Sequence, residues 1–141
     1  NSVSWRNFTL NASLRASLGG KVFNQMRGVY ENITNLGINN VLASWLDEPE
    51  FTGKVVYSDK YLEDATYVKL DNVTLNYNFP LKDKKIVKDL SVYLSGQNLL
   101  VLTGYKGVDP EVGLTGLTPG IEGLSYYPRT RVFTLGVNVK F

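Results

Sequence analysis

Two sets of residues in this chain have types that could do chemistry. Trp45, Tyr57, Tyr61, Tyr105, Tyr126 and Tyr127 are flat aromatics set among glycine, lysine, serine and carboxylates. Such rings can stack on sugars while polar neighbours bond the hydroxyls, the usual division of labour in a ligand site. The same residue types also pack loops onto a scaffold or meet a partner protein, and type alone favours that role. Asp47-Glu48, Asp59, Glu63-Asp64 and Asp109-Pro-Glu111 could offer oxygen ligands to calcium. None has EF-hand spacing, and Asp-Pro commonly opens a turn, so solvated loop carboxylates are the ordinary reading. A carboxylate pair could also cleave a glycosidic bond, but no spacing singles out a pair.

Composition narrows the chemistry further. The 141 residues contain no Cys and no His. Within this chain that removes disulfides, thiolate and imidazole metal ligands, and Cys or Ser-His nucleophiles. The expectation is a non-enzyme without a cofactor. A net charge of +2 from 15 basic and 13 acidic residues is too balanced to suggest nucleic acid. Asn7-Phe-Thr9, Asn11-Ala-Ser13, Asn32-Ile-Thr34 and Asn72-Val-Thr74 fit the glycosylation pattern. Three of them lie in alternating runs, where residues two apart share a face and Asn and Thr pair naturally.

The elements that must position these residues read as strands. Phe8, Leu10, Ala12, Leu14, Ala16 and Leu18 alternate with Asn7, Thr9, Asn11, Ser13, Arg15 and Ser17, the period-two pattern of a strand with one apolar face. Val73, Leu75, Tyr77 and Phe79 alternate with Thr74, Asn76 and Asn78. Val68 and Leu70 have the opposite parity, which predicts a bulge or a membrane exit near Asp71. Leu90, Val92 and Leu94 form a third run that loses alternation at Leu99 to Leu102. Phe133, Leu135, Val137, Val139 and Phe141 form a fourth, ending on an aromatic residue. The strands predicted are about 5–18, 67–79, 90–102 and 131–141. No run approaches the roughly 18 apolar residues of a membrane helix.

Connection lengths alternate in a way that fits a membrane barrel. The stretches of about 19–66 and 103–130 are long, while about 80–89 is short and charged. Bacterial barrels have long extracellular loops and short periplasmic turns. With Phe141 periplasmic, the long connections fall outside and the short one inside. Phe8, Tyr77, Phe79 and Phe141 would then lie at the periplasmic interface with lipid-facing parity, as an aromatic girdle requires. Arg15, Asn76, Asn78, Gln97 and Lys140 would face the lumen, towards a plug or channel water.

Several ordered segments resemble a known family. Tyr61-Leu-Glu-Asp-Ala-Thr-Tyr-Val-Lys-Leu-Asp-Asn-Val-Thr-Leu-Asn-Tyr-Asn-Phe-Pro80 resembles a hallmark of the SusC/RagA-type TonB-dependent outer-membrane receptors. Leu94-Ser-Gly-Gln-Asn-Leu-Leu100, followed by Tyr105-Lys-Gly-Val-Asp-Pro-Glu111, resembles the next. Tyr127-Pro-Arg-Thr-Arg-Val-Phe-Thr-Leu-Gly136 and the terminal Phe141 resemble the closing strand, with Phe133, Leu135, Gly136, Val139 and Phe141 as the barrel-assembly signal. Phe8 to Asn24 matches the style of the preceding strand and loop. About 28–60 carries little signal, as a variable external loop would.

The resemblance implies an all-β fold. Residues 1–141 would be the C-terminal part of an antiparallel transmembrane β-barrel, its last four strands within a plugged barrel of about 22. It implies import of glycan fragments or peptides across the outer membrane of a Gram-negative cell. A SusD-like surface lipoprotein would act as the lid. TonB would act through a missing N-terminal part, with the plug, the other strands and membrane lipid as further partners. Nothing here resembles a plug or TonB box, and four strands cannot close a barrel when the smallest have about 8. A fragment, a proteolytic remnant or a split subunit is therefore expected. A soluble β-sandwich used for binding or adhesion is the alternative, and a homo-oligomeric pore of four-stranded protomers is a third option.

Overall fold

In a computed structural model, the described residues are 1–47, 56–81, 86–112 and 119–141. In chain order the elements are β1 (Ser2–Trp5), β2 (Phe8–Ser17), β3 (Lys21–Asn24), α1 (Gln25–Tyr30), β4 (Leu62–Asp64), β5 (Tyr67–Asn78), β6 (Asp89–Thr103), β7 (Ile121–Glu122) and β8 (Val132–Lys140). Short 3-10 turns occupy Ile33–Asn35, Ala43–Asp47 and Asp59–Tyr61. The chain divides into two compact units.

The first unit, Asn1–Ala16, Val68–Leu102 and Arg129–Phe141, is built on a sheet of order β1-β2-β5-β6-β8. The alternating runs lie in β2, β5, β6 and β8. The strand β1 is an addition to those four. It pairs antiparallel with β2 from Ser2↔Asn11 to Trp5↔Phe8, and Arg6 takes φ 52° in the tight turn between them. The end of β5 meets the start of β2 through Asn78 N–H to Asn7 O at 2.9 Å. Nearby, Phe79 N–H donates to Leu90 O at 2.9 Å. β6 and β8 pair antiparallel from Asp89↔Lys140 to Gln97↔Val132.

Two irregularities explain where alternation fails. Asp71 meets Arg15 on the polar face, and its neighbour Asn72 meets Ser95 on that face too. Consecutive side chains on one face are the mark of a bulge, which reverses parity between Leu70 and Val73. In β6, Asn98 takes φ 53°, a left-handed conformation Asn tolerates better than most residues. The side chain of Leu99 then folds against Gly96, where an added Cβ would stand 2.7 Å from Leu99 Cδ2. Strict alternation would put these two on opposite faces.

The apolar face of this unit is left open rather than packed, and Ser13, Arg15, Thr134 and Asn138 on the other face are exposed as well. Phe133, Leu135 and Val137 are 69%, 73% and 60% exposed, while Lys69 is 1% exposed and Ser91 is buried. Among the described residues, every buried hydrophobic belongs to the other unit.

That second unit is Ser17–Tyr67 with Thr103–Pro128. Its sheet has order β4-β3-β7, with β3 antiparallel to β4 and parallel to β7. Val22, Ala65, Tyr105 and Val112 form its core, with Tyr126 packed against them. The connections that read as plain loops thus contain three short strands and a helix. These elements run from two to six residues, too short to show a period. Glu48 and the middle of the 80–89 turn lie outside the described residues.

Candidate functional site

The polar centre of the second unit starts at the end of β3. Asn24 caps α1, its Oδ1 accepting from Arg27 N–H at 2.9 Å, a role Asn suits because its short side chain reaches the free amides of a first turn. The cap brings Arg27 into the helix, where it reaches two carboxylates. Arg27 Nε donates to Glu31 Oε1 at 3.1 Å and Nη1 to Glu63 Oε1 at 2.8 Å. Glu63, on β4, also accepts from Asn24 Nδ2 at 3.3 Å and from Lys106 N–H at 2.9 Å. Burial alone would lower the Arg27 pKa, but the bonds to Glu63 and Glu31 and their charges outweigh it and raise it. The guanidinium also lies 5.9 Å from the Tyr61 ring centre.

A second buried carboxylate is reached from the 105–111 segment. Tyr105 OH and Val108 N–H both donate to Glu122 Oε2, at 2.8 and 2.9 Å. Burial, then the bond to Glu122 and that residue's charge, pushes the Tyr105 hydroxyl above the usual tyrosine range. Asp109 and Glu111 act as turn and acceptor groups. Asp109 Oδ1 takes Glu111 N–H at 2.9 Å, Asp109 Oδ2 takes Tyr126 OH at 3.3 Å, and Glu111 Oε1 takes Tyr67 OH at 2.8 Å. Asp64 receives Thr66 N–H at 2.8 Å. Bonds from the Thr66 side chain and backbone hold the Asp64 carboxyl below its usual range. Asp59 starts a 3-10 turn and Asp47 ends another. Among the described residues no three acidic groups stand close enough to hold a metal ion.

The six sequence-predicted aromatics all belong to this unit, in different states. Tyr61 and Tyr105 are buried, and Tyr126 is half-buried against the core. Tyr57 packs edge-on against Phe23 at 5.5 Å, and Tyr61 contacts the same ring at 6.5 Å. Tyr57 and Tyr127 are exposed. Trp45 is half-buried, with its indole N–H lacking a partner. The structure therefore brings Tyr57 and Tyr61 together around Phe23, and Tyr105 and Tyr126 around the core.

In the first unit the polar face is internally bonded. Arg15 holds Asp71 through two bonds of 2.9 and 3.2 Å, with Lys69 Nζ 3.9 Å from Asp71. Thr74 and Ser95 hydroxyls meet at 2.9 Å, and Asn76 donates to Asn78 at 2.9 Å. On the apolar side, Phe8 and Tyr77 rings lie 4.6 Å apart and Tyr77 and Phe79 rings 4.9 Å apart. Phe133, Leu135, Val139 and Phe141 are exposed along β8, and Lys88 Nζ donates to the main-chain oxygen of Phe141 at 3.1 Å.

Sequence reasoning missed Asn24, Arg27, Glu31 and Glu122. The spacing of Arg27 and Glu31, one helical turn apart, was a usable signal, whereas Glu122 had none.

No family model matches the chain. A TonB-dependent receptor of Formosa agariphila is 31% identical over 157 residues, covering 100% of this chain and 16% of that receptor. The TonB-dependent receptor SusC of Bacteroides thetaiotaomicron is 32% identical over 148 residues, covering 99% of this chain and 14% of that receptor. The solved RagAB peptide transporter superposes with a TM-score of 0.80 at 27% identity, over 98% of this chain and 16% of that one. These relatives are receptors and transporters, not enzymes. The chain thus spans about one sixth of the proteins it matches. Over nearly its whole length it is the counterpart, in sequence and in antiparallel β fold, of a portion of a SusC/RagA-type TonB-dependent receptor.

Proposed function

We propose that this chain is the C-terminal barrel portion of an outer-membrane transporter driven through TonB, importing oligosaccharides or peptides beneath a SusD-like lipoprotein lid. The observation that carries the reading is the uncovered apolar face of the sheet. Phe8, Leu10, Leu14, Leu135 and Val137 are exposed while Lys69 and Ser91 are buried. A β-sandwich would bury its apolar faces between two sheets; lipid is the solvent that suits an apolar outer face and a bonded polar inner one.

In this reading the connections 19–66 and 103–130 are extracellular, and the 80–89 turn is periplasmic. The Phe8–Tyr77–Phe79 cluster is then part of an interfacial girdle. Phe133, Leu135, Gly136, Val139 and Phe141 serve as the assembly signal. A peptide cargo is supported by the likeness to the RagAB peptide transporter, and glycan fragments are the other class that the family resemblance implies. The exposed rings of Tyr57 and Tyr127, with Trp45, are the candidates for cargo or lid contact. Tyr61, Tyr105 and Tyr126 hold the loops.

The test is intact mass and co-purification of the native protein from outer membranes in detergent. Recovery as the end of a longer polypeptide in a larger complex is the expected result. Recovery as a detergent-independent monomer of 15.8 kDa would overturn the reading.

A further inference from the structure

The second unit has an open-sided pocket of about 190 Å³ lined by Met26, Tyr30, Leu42, Val108 and Glu122, with Asn24, Arg27 and Lys106 at its polar side. Glu122 is 0% exposed. Its Oε2 is held by Tyr105 OH and Val108 N–H, and its Oε1 has no hydrogen-bond partner. The close fit of this carboxylate depends on Gly107, where a Cβ would collide with Glu122 Oε2 and the Tyr105 ring. Two cations line the same pocket, and neither serves it: Arg27 is committed to Glu31 and Glu63, and the exposed Lys106 makes no ion pair with Glu122 among the described residues. A buried carboxylate without a cation is costly, so whatever fills the cavity should carry a positive donor.

The lining narrows the donor's class. A calcium ion wants about 6–8 oxygens, and among the described residues no three acidic groups converge. One water takes only about 30 Å³ of liquid volume and needs two or more polar partners, while this wall is largely apolar. A positive N–H donor on a hydrocarbon stem satisfies both features. We infer that the cavity binds a primary alkylammonium group, with Glu122 Oε1 accepting its hydrogen bond and Met26, Tyr30, Leu42 and Val108 sleeving its stem. The ammonium can come from solution, as a lysine side chain or free amine of a peptide, or from a lysine elsewhere in the full-length protein.

The inference goes beyond nutrient import and does not depend on which cargo is carried, because its readout is binding rather than transport. The full-length protein in detergent would be titrated with n-butylammonium chloride, with tetramethylammonium chloride at equal ionic strength as the non-donating control. Thermal unfolding would be followed, and a density map recorded at the highest butylammonium concentration. For a solution source, the melting temperature should rise saturably with butylammonium only. The apparent affinity should fall about tenfold or more in Glu122→Gln, where one charge-assisted bond is lost. Leu42→Trp, which fills the cavity and keeps the carboxylate, should abolish the rise as well. For an internal source, no rise occurs and the map shows a lysine Nζ from outside this chain within hydrogen-bond distance of Glu122 Oε1. A map showing water, an empty cavity or Lys106 turned onto Glu122, with no butylammonium-specific rise, would overturn the proposal.

Discussion

The ring of Tyr93 lies directly over Gly136, its partner across the β6–β8 ladder. A Cβ at position 136 would meet the ring's Cε1, Cζ and hydroxyl oxygen, so the glycine is there to let an aromatic cross the polar face. Gly136→Ala should destabilise the full-length protein by about 1–3 kcal/mol, the usual cost of overpacking. In a Tyr93→Ala background the same substitution should cost much less, and the double-mutant cycle measured by thermal unfolding reads the coupling. Equal costs in both backgrounds would mean that the ring is not the obstacle.

Arg27 is the cation that buried Glu31 and half-buried Glu63 share. Arg27→Met leaves buried Glu31 and half-buried Glu63 without it, and stranding the buried partner typically costs about 3–5 kcal/mol. Lysine should rescue poorly, because a point charge cannot span two carboxylates as the planar fork does. The loss should be local, so hydrogen exchange at the Lys106 amide, which donates to Glu63, should accelerate. An unchanged exchange rate there would contradict the network.

Tyr105 makes the fold sensitive to alkali. Its pKa is raised in the folded state, and the unfolded value is about 10. The stability it contributes is complete below pH of about 10 and is lost as pH rises above that, because only the unfolded chain then ionises there. Melting temperature measured up to about pH 11.5 should fall more steeply in the wild type than in Tyr105→Phe. Parallel curves would show that the hydroxyl is not so held.

Asp64 supplies the acid counterpart. Its folded pKa is lowered by Thr66, so its contribution is present above the ordinary value of 3.8 and is lost as pH falls below it. Asp64→Asn should flatten that part of the acid limb, and titration of the carboxyl by NMR in the labelled protein would locate the midpoint. A midpoint at or above the ordinary value would refute the assignment.

Legibility followed element length and continuity. Unbroken alternation made β2 and β8 readable, because each buries or exposes a whole face at period two. The bulge at Asp71 and Asn72 was visible as a parity change between Leu70 and Val73, while Asn98 hid the far half of β6 by resetting its phase. The strands β3, β4 and β7 were too short for any period. Glu122 was unreadable because its partners lie 17 and 14 residues away and are joined only by tertiary packing. The aromatics were found, but residue type could not separate exposed Tyr127 from buried Tyr105.

The central claim is that one face of this sheet meets lipid. Single spin labels at Leu135→Cys and Val137→Cys, and at Thr134→Cys and Asn138→Cys, in the full-length protein reconstituted in a bilayer would test it most directly. The first pair should be relaxed by oxygen and shielded from a water-soluble nickel reagent, with the pattern lost or reversed at the second pair. Labels at Leu135 and Val137 that are open to the nickel reagent, or immobilised and shielded from both reagents as in a protein core, would contradict it.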